Sequence, residues 1–420
     1  MRIAYVTETF LPSIDGVVTR VTKALDWLQA AGHEVLVICP DLGVTSYGSS
    51  RVVGVRAVRY PLYRARPWGT PSAAISRAID GFRPDVVHVW HPAVMGVRAV
   101  PHAERAGIPL ITSYHTNVVR YLDYYGPARA LRRPVLWAMR RLNNSSPVTL
   151  VTSRAMRASL TGLGFAGVEV LPRGVDLTAR DPSFRDAATR ARLTGGHPER
   201  PLLLFVGRVA AEKGLDALVP VMRAHPAWSL AIVGDGPDRA RLEGLFAGTA
   251  TTFTGFLRGE ELSRAFASAD VFVFPSTTET LGLVLLEAMA SGLPVVAASS
   301  PATDEQMRGG ACGVVYDPTD AGALVEALEQ VVGSPALAAR LRDAGLREAS
   351  ACGWDGASSA LLGWYERTIA LYRAGWRPPA HPGRPQPARG ATHDEGDDDE
   401  GDGGATRTSV APHDREGAAR

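Results

Sequence analysis

The chain predicts an α/β protein made of two doubly wound, Rossmann-like domains, and three observations carry that prediction. At 420 residues it exceeds one ordinary domain. Short apolar runs alternate with longer helical patterns, which is the layout of parallel sheets covered by helices. The alternation breaks once, at a polar stretch near residues 177–200, and then starts again.

In the first half the apolar runs place strands near 2–7, 34–39, 85–90, 109–113, 148–152 and 168–171. A helix over about 16–31 follows the first strand and ends at Ala31-Gly32, where glycine suits the left-handed cap position. In the second half strands are expected near 202–206, 229–233, 251–253, 271–274, 294–297 and 314–315. The resulting domains are 1–174 and 200–355, joined by a hinge linker at 175–200. A terminal helix at 356–374 could join either domain, and the Pro/Gly-rich acidic tail 375–420 is expected to be disordered.

Composition excludes several classes. No run of about 18 apolar residues is present, so a membrane-spanning helix is not expected. The first ten residues lack a signal-peptide layout, and Cys39, Cys312 and Cys352 are too few and scattered for a disulfide framework or zinc site. A cytoplasmic protein is the default reading. The formal charge of +2 hides an asymmetry. Residues 1–180 carry 22 Arg/Lys against 11 Asp/Glu, and the remainder carries 23 against 32. Only Lys23 and Lys213 are lysine; the other 43 cations are arginine. A retained lysine suggests a place that needs a compact ammonium charge, which draws attention to Lys213.

Parallel sheets bind ligands at the carboxyl ends of their strands, where helix N-termini offer free N–H groups. Arg208 and Lys213 follow the 202–206 strand in Phe205-Val-Gly-Arg-Val-Ala-Ala-Glu-Lys-Gly214. Glu279 and Glu287 follow the 271–274 strand, one in a loop and one about a turn into the next helix. Two cations for phosphates and two acids for hydroxyls suggest a sugar nucleotide. Taken singly, each pair also fits a solvated loop or a helix N-terminus that favours acids. Gly16 opens the first helix, where the missing side chain lets backbone N–H groups approach a phosphate; an ordinary turn would read the same. Ile232-Val-Gly-Asp-Gly-Pro237 begins like a dinucleotide fingerprint, but residue 239 is arginine, so a tight turn is expected there.

His115 ends an apolar run at the same kind of edge and is either a site residue or a structural histidine. His88 and His91 resemble a metal pair, yet they should face different ways and lack a third ligand. Residues 127–142 combine five arginines with Leu, Trp and Met. That pattern suits either an anionic membrane surface or a solvated helix face packed on its own domain. No motif for reading nucleic acid accompanies it.

Together these residues resemble glycosyltransferase family 4, retaining enzymes of the GT-B fold, over about residues 1–370. The motifs carrying the likeness are Glu279 with Glu287, Gly207-Arg208 with Lys213-Gly214, and Glu287-Ala-Met-Ala-Ser-Gly-Leu-Pro-Val295. The resemblance implies two domains facing a cleft, with Arg208 and Lys213 gripping the donor diphosphate and Gly16 adding a backbone contact. It implies Glu287 on the ribose, and Glu279 on the transferred sugar with N–H groups near Leu281, Gly282 and Leu283. It also places His115 beside that sugar. No metal or other cofactor is implied.

Phe10-Leu-Pro-Ser-Ile-Asp-Gly-Val-Val18, Tyr114-His-Thr-Asn117 and Arg173-Gly-Val-Asp176 are most similar to bacterial GDP-mannose-dependent α-mannosyltransferases acting on glycolipids. They are also similar to sulfoquinovosyltransferases, which use a UDP-sugar. Two departures stand out. Asp15 replaces a common glycine, and an acid beside a diphosphate must point away or be neutralised. Pro301-Ala302 replaces a common Gly-Gly loop before Glu305. A GT-B-type epimerase or phosphorylase, and a non-catalytic nucleotide-sugar binding protein, are the rival readings.

Overall fold

The computed structural model describes residues 1–13, 15–60, 63–115, 131–278 and 282–385. Its first domain contains strands β1 (Arg2–Thr7), β2 (Glu34–Pro40), β3 (Ser46–Tyr47), β4 (Ser50–Val55), β5 (Ala57–Tyr60), β6 (Tyr63–Gly69), β7 (Val86–Trp90), β8 (Leu110–Tyr114), β9 (Thr149–Val151) and β10 (Val168–Val170). Eight of these form one sheet in the order β10-β9-β8-β7-β1-β2-β4-β3, parallel except for the β3–β4 hairpin at the edge. Strands β5 and β6 pair separately as an antiparallel ribbon.

The six expected strands of this half are present. Strands β3 to β6 are additional, and the reason is local. Their residues mix Arg, Gly, Ser and Pro with the apolar positions, so neither a continuous apolar run nor a clean alternation marks them. The central strands read differently. In β1 every residue after Arg2 is buried, the mark of a strand covered on both faces. Side chains alternate across it. Ile3 and Tyr5 join the core under the Gly16–Ala30 and Trp354–Arg373 helices, whereas Ala4 and Val6 join the core under the Ala73–Phe82 and Gly96–Ala106 helices.

The second domain holds β11 (Leu202–Val206), β12 (Ser229–Val233), β13 (Thr251–Gly255), β14 (Val271–Phe274), β15 (Val295–Ala298) and β16 (Val314–Tyr316). These form an all-parallel sheet in the order β13-β12-β11-β14-β15-β16. One continuous core built on Leu203, Phe205, Phe272, Phe274 and Leu286 supports it. Both sheets lie within a single compact unit.

Two segments run between the sheets side by side, with Val175 N–H donating to Cys352 O at 2.7 Å. After the second crossing, the Trp354–Arg373 helix returns to the first domain. There Tyr365, fully buried, donates to Tyr5 Oη at 3.0 Å and meets His88 Nδ1 at 2.8 Å. The stretch read as a hinge is packed on the second domain. Leu193 joins that domain's core, and Arg190 pairs with both oxygens of Asp270 at 3.0 and 2.8 Å.

The expectation of disorder from residue 375 is corrected for its first part. Pro382 and Gly383 are buried against the Arg132–Asn143 helix. Asn144 Nδ2 donates to Pro382 O at 3.0 Å and Arg140 Nε to Gly383 O at 3.1 Å. Donors on a basic helix end find free carbonyls in a segment that makes no ladder of its own. Tail residues beyond 385 lie outside the described residues.

Candidate active site

The loop after β11 is shaped by backbone contacts to the loop after β12. Gly207 N–H donates to Val233 O at 3.0 Å and Val209 N–H to Asp235 O at 3.0 Å. A side chain at Gly234 or Gly236 would collide with the backbone of Gly207 or Val209. The Gly-Asp-Gly sequence therefore acts as the tight turn expected of it, and it holds Arg208 in place. Arg208 is ion-paired with Glu212. Lys213 ends the short Ala211–Lys213 turn and lies 5.6 Å from the centroid of the Phe274 ring.

This cation loop is tied to the loop after β14. A Cβ on Gly214, whose φ is +66°, would lie 3.0 Å from Pro275 O. Ser276 Oγ and Thr278 Oγ1 both donate to Glu212 O, at 3.3 and 3.4 Å. Arg208 and Lys213 thus stand beside the segment leading to residue 279. Glu279 and Leu281 themselves lie outside the described residues.

Chain description resumes at Gly282, which precedes the Leu283–Ala290 helix with φ +60° and accepts from Gln306 Nε2 at 3.3 Å. Across the cleft, a Cβ on Gly16 would lie 3.5 Å from Leu283 Cδ1. The helix start of the first domain and that of the second therefore face each other, as the resemblance implies.

Asp15 resolves one departure. Its Oδ1 accepts from Val17 and Val18 N–H at 2.9 Å each, and Oδ2 accepts from Thr9 Oγ1 at 3.0 Å. The carboxylate caps its own helix, and that cap occupies two N–H groups that an anion would otherwise use.

One turn into the second helix, Glu287 Oε1 accepts from Arg180 Nη2 at 3.1 Å. Burial pushes the Glu287 carboxyl up, against the pull of the Arg180 charge. Arg180 gives no signal in the sequence, because it lies on the linker, 107 residues from its partner. Nearby, Lys23 Nζ meets Asp176 Oδ2 at 2.8 Å. Burial raises the Asp176 carboxyl, but hydrogen bonds from Lys23, Thr178 and Ala179 outweigh it and hold the group well below the usual carboxylate range.

In the first domain, His115 follows β8 and is buried. Its N–H donates to His91 Nδ1 at 3.3 Å, and its ring stacks on Trp90 at 5.3 Å and 15°. Trp90 stacks in turn on His88 at 4.2 Å. Burial, with the charge of Arg20 and the neighbouring His91 and His88, pushes the His115 imidazole well below its ordinary range, so the ring is neutral at pH 7. His91 carries φ +58°, a conformation few side chains adopt. Glu8 Oε1, which accepts from Ala93 and Met95 N–H at 3.2 and 2.7 Å, holds the turn that follows it. His88 and His91 serve different partners, as their spacing suggests. Among the described residues no group of three His, Cys, Asp or Glu is placed to hold a metal ion.

The basic segment is partly internal, as a helix packed on its own domain would be. Arg141 pairs with both oxygens of Glu104, at 3.1 and 2.8 Å, and Arg140 is bound to Leu163 O and Gly383 O. Both lie on the face that packs on the domain. Leu131, Arg132, Arg133 and Trp137 remain exposed, Trp137 by 54%. Residues 127–130 lie outside the described residues.

Known proteins bear on the site as a whole. The model of Glycosyltransferase Family 4 matches residues 14–179, and that of Glycosyl transferases group 1 matches residues 192–348. The chain is 40% identical over 307 residues to a GDP-mannose-dependent alpha-mannosyltransferase of Mycobacterium tuberculosis, covering 71% of this chain and 79% of the relative. It is 39% identical over 316 residues to sulfoquinovosyl transferase SQD2 of Arabidopsis thaliana. That match covers 73% of this chain but 62% of the relative, so the chain spans less than two thirds of that protein's length. Among solved structures, sucrose-phosphate synthase from Thermosynechococcus elongatus has a TM-score of 0.72 at 24% identity, covering 88% of this chain and 99% of that one, a likeness of fold alone. Two Rossmann-like domains facing a cleft, with polar residues gathered at both carboxyl edges, are the GT-B arrangement. The chain belongs to glycosyltransferase family 4.

Proposed function

We propose that this glycosyltransferase moves mannose from GDP-mannose onto a hydroxyl of a membrane glycolipid or related glycan, with retention of configuration. The observation that carries the reading is the approach of Gly16 to Leu283 across the cleft. It supports a shared site by bringing the two helix starts together, with the Arg208–Lys213 loop tied to the Ser276–Thr278 segment after β14. The identity of 40% to an enzyme named for GDP-mannose supports the choice of donor.

Breaking the anomeric C–O bond leaves negative charge on the diphosphate. Arg208 and Lys213 would stabilise that charge, and one well-placed group of this kind is worth about 2.7–4 kcal/mol in the transition state. On this reading the chain needs no metal to balance the leaving group. Glu287 would take the ribose hydroxyls, and Glu279 those of the sugar. A neutral His115, held by its stack on Trp90, would hydrogen-bond the sugar without adding charge. The acceptor hydroxyl would attack from the face that the diphosphate leaves, with a phosphate oxygen drawing its proton.

The exposed face of Leu131, Arg132, Arg133 and Trp137 supports peripheral contact with an anionic bilayer, at the inner face of the plasma membrane. No helix among the described residues is long and apolar enough to cross one.

A product assay tests the whole reading: GDP-mannose with a glycolipid acceptor should yield a mannosylated lipid. Turnover with a UDP-sugar alone would move the assignment to the second reading, a UDP-sugar-dependent transferase. The identity of 39% to a sulfoquinovosyl transferase favours that alternative. Release of free or isomerised sugar from donor alone would support the epimerase or phosphorylase reading.

A further inference from the structure

We infer that Arg180 is a positioning residue of the donor site, one that anchors one oxygen of Glu287 and so directs the other to the ribose. The inference rests on the reading of Glu287 as the ribose carboxylate.

Arg180 does not belong to either sheet. It lies on the linker between the domains, yet it is only 8% exposed and reaches Ser263, Phe266 and Glu287 of the second domain. Its guanidinium is held on several sides. Nη1 donates to Ser263 Oγ at 3.0 Å and to Ala179 O at 3.1 Å, and the plane lies 5.2 Å from the centroid of the Phe266 ring. Nη2 is left for Glu287 Oε1, at 3.1 Å. Such a fixed fork has one orientation available, so the carboxylate it meets is fixed as well.

The contact is made through one oxygen only. Among the described residues Oε2 of Glu287 has no hydrogen-bond partner, and the Glu287 side chain stays 29% exposed. A carboxylate that is to bind a diol needs this arrangement: one oxygen anchored, the other open, and the negative charge retained. Burial opposes that charge, and a buried carboxyl without a counter-charge takes up a proton and loses acceptor strength. The Arg180 guanidinium supplies the counter-charge without covering the open oxygen.

The backbone beneath Arg180 is anchored too. Arg180 N–H donates to Asp176 O at 2.9 Å, and Asp176 Oδ1 accepts from Thr178 Oγ1 and Ala179 N–H at 2.8 and 3.0 Å. Asp176 also meets Lys23 of the first domain at 2.8 Å. The residue that orients Glu287 is therefore supported from the opposite domain.

The test is titration calorimetry on the full chain with GDP and UDP, each beside its 2′,3′-dideoxy analogue. Wild type should prefer the ribonucleotide by about tenfold or more, the scale of a hydrogen bond to a charged group. Arg180→Met should lower that preference to about threefold or less while leaving dideoxy affinity within about twofold of wild type. Glu287→Gln should behave the same way, and adding it to Arg180→Met should cost nothing further. Arg180→Lys, which keeps the charge but not the fork, should recover part of the preference.

A full ribose preference in Arg180→Met overturns the inference. So does an equal loss for ribo and dideoxy forms in both Arg180 variants, which would mean that Arg180 only supports the fold. Absence of any ribose preference in wild type instead overturns the assignment of Glu287, and no binding of either nucleotide overturns the donor reading itself.

Discussion

Gly16 and Leu283 belong to different domains and 267 residues of sequence separate them, yet a Cβ on Gly16 would stand 3.5 Å from Leu283 Cδ1. That spacing is ordinary van der Waals contact, so a methyl group fits the protein itself. Gly16→Ala should therefore fold with an unchanged melting temperature. The same methyl would stand between the helix start and a bound diphosphate, and the donor KM should rise about tenfold, the scale of losing one hydrogen bond to a charged group. An unchanged donor KM would remove Gly16 from the site.

On the proposed reading Lys213→Ala should lower turnover by about 100-fold or more with the protein still folded, because it removes one of the two cations assigned to the departing diphosphate. Lys213→Arg should not restore the rate, since a planar fork does not replace a compact ammonium. Wild-type activity should survive EDTA; loss of activity reversed by a divalent cation would contradict the two-cation reading. Near-normal turnover in Lys213→Ala would contradict the phosphate assignment.

Asp15 spends its carboxylate on Val17 and Val18 N–H. Asparagine caps a helix about as well, so Asp15→Asn should keep stability while removing an acid from beside the proposed diphosphate position. Donor KM is expected to fall severalfold, most clearly at low salt. Asp15→Ala should lose about 1 kcal/mol of stability along with the cap. Equal donor KM in wild type and Asp15→Asn at low salt would show that the diphosphate lies elsewhere.

The arginines of the Arg132–Asn143 helix should divide into two groups. Neutralising Arg132 and Arg133 together with Trp137→Ala should reduce binding to anionic liposomes, with the effect fading as salt rises. Arg140→Gln should leave liposome binding alone and lower the melting temperature, because its partners are Gly383 O and Leu163 O. Liposome binding that ignores the exposed group would end the membrane proposal.

The Lys23–Asp176 pair gives a pH signature. Asp176 is held well below the usual carboxylate range. Its contribution to stability is therefore complete above the unfolded carboxyl pKa of about 3.9 and is lost as pH falls from there toward the folded value. Lys23→Met should be modestly less stable than wild type at pH 7, since the partners are 36% and 30% exposed and partly screened. The gap measured by thermal melts should narrow below about pH 4. A gap that is constant from pH 7 to pH 3 would mean that the pair does not set the Asp176 charge.

The sequence by itself determined the strands buried on both faces, the break between two sheets, the loop that carries Arg208 and Lys213 and the helix start that carries Glu287. Those features are local. A strand covered on both sides is a continuous apolar run, and a residue just past its carboxyl end lies at the ligand edge whatever the rest of the chain does. Side-chain direction and distant partners are not local, and only the tertiary structure decided them. It turned Asp15 back onto its own helix, committed Arg140 and Arg141 to carbonyls and to Glu104, and returned the Trp354–Arg373 helix to the first sheet through Tyr365, Tyr5 and His88. It also brought Arg180 to Glu287. No periodicity marks a lone arginine in a polar linker, because its meaning comes from a carboxylate that folding places beside it.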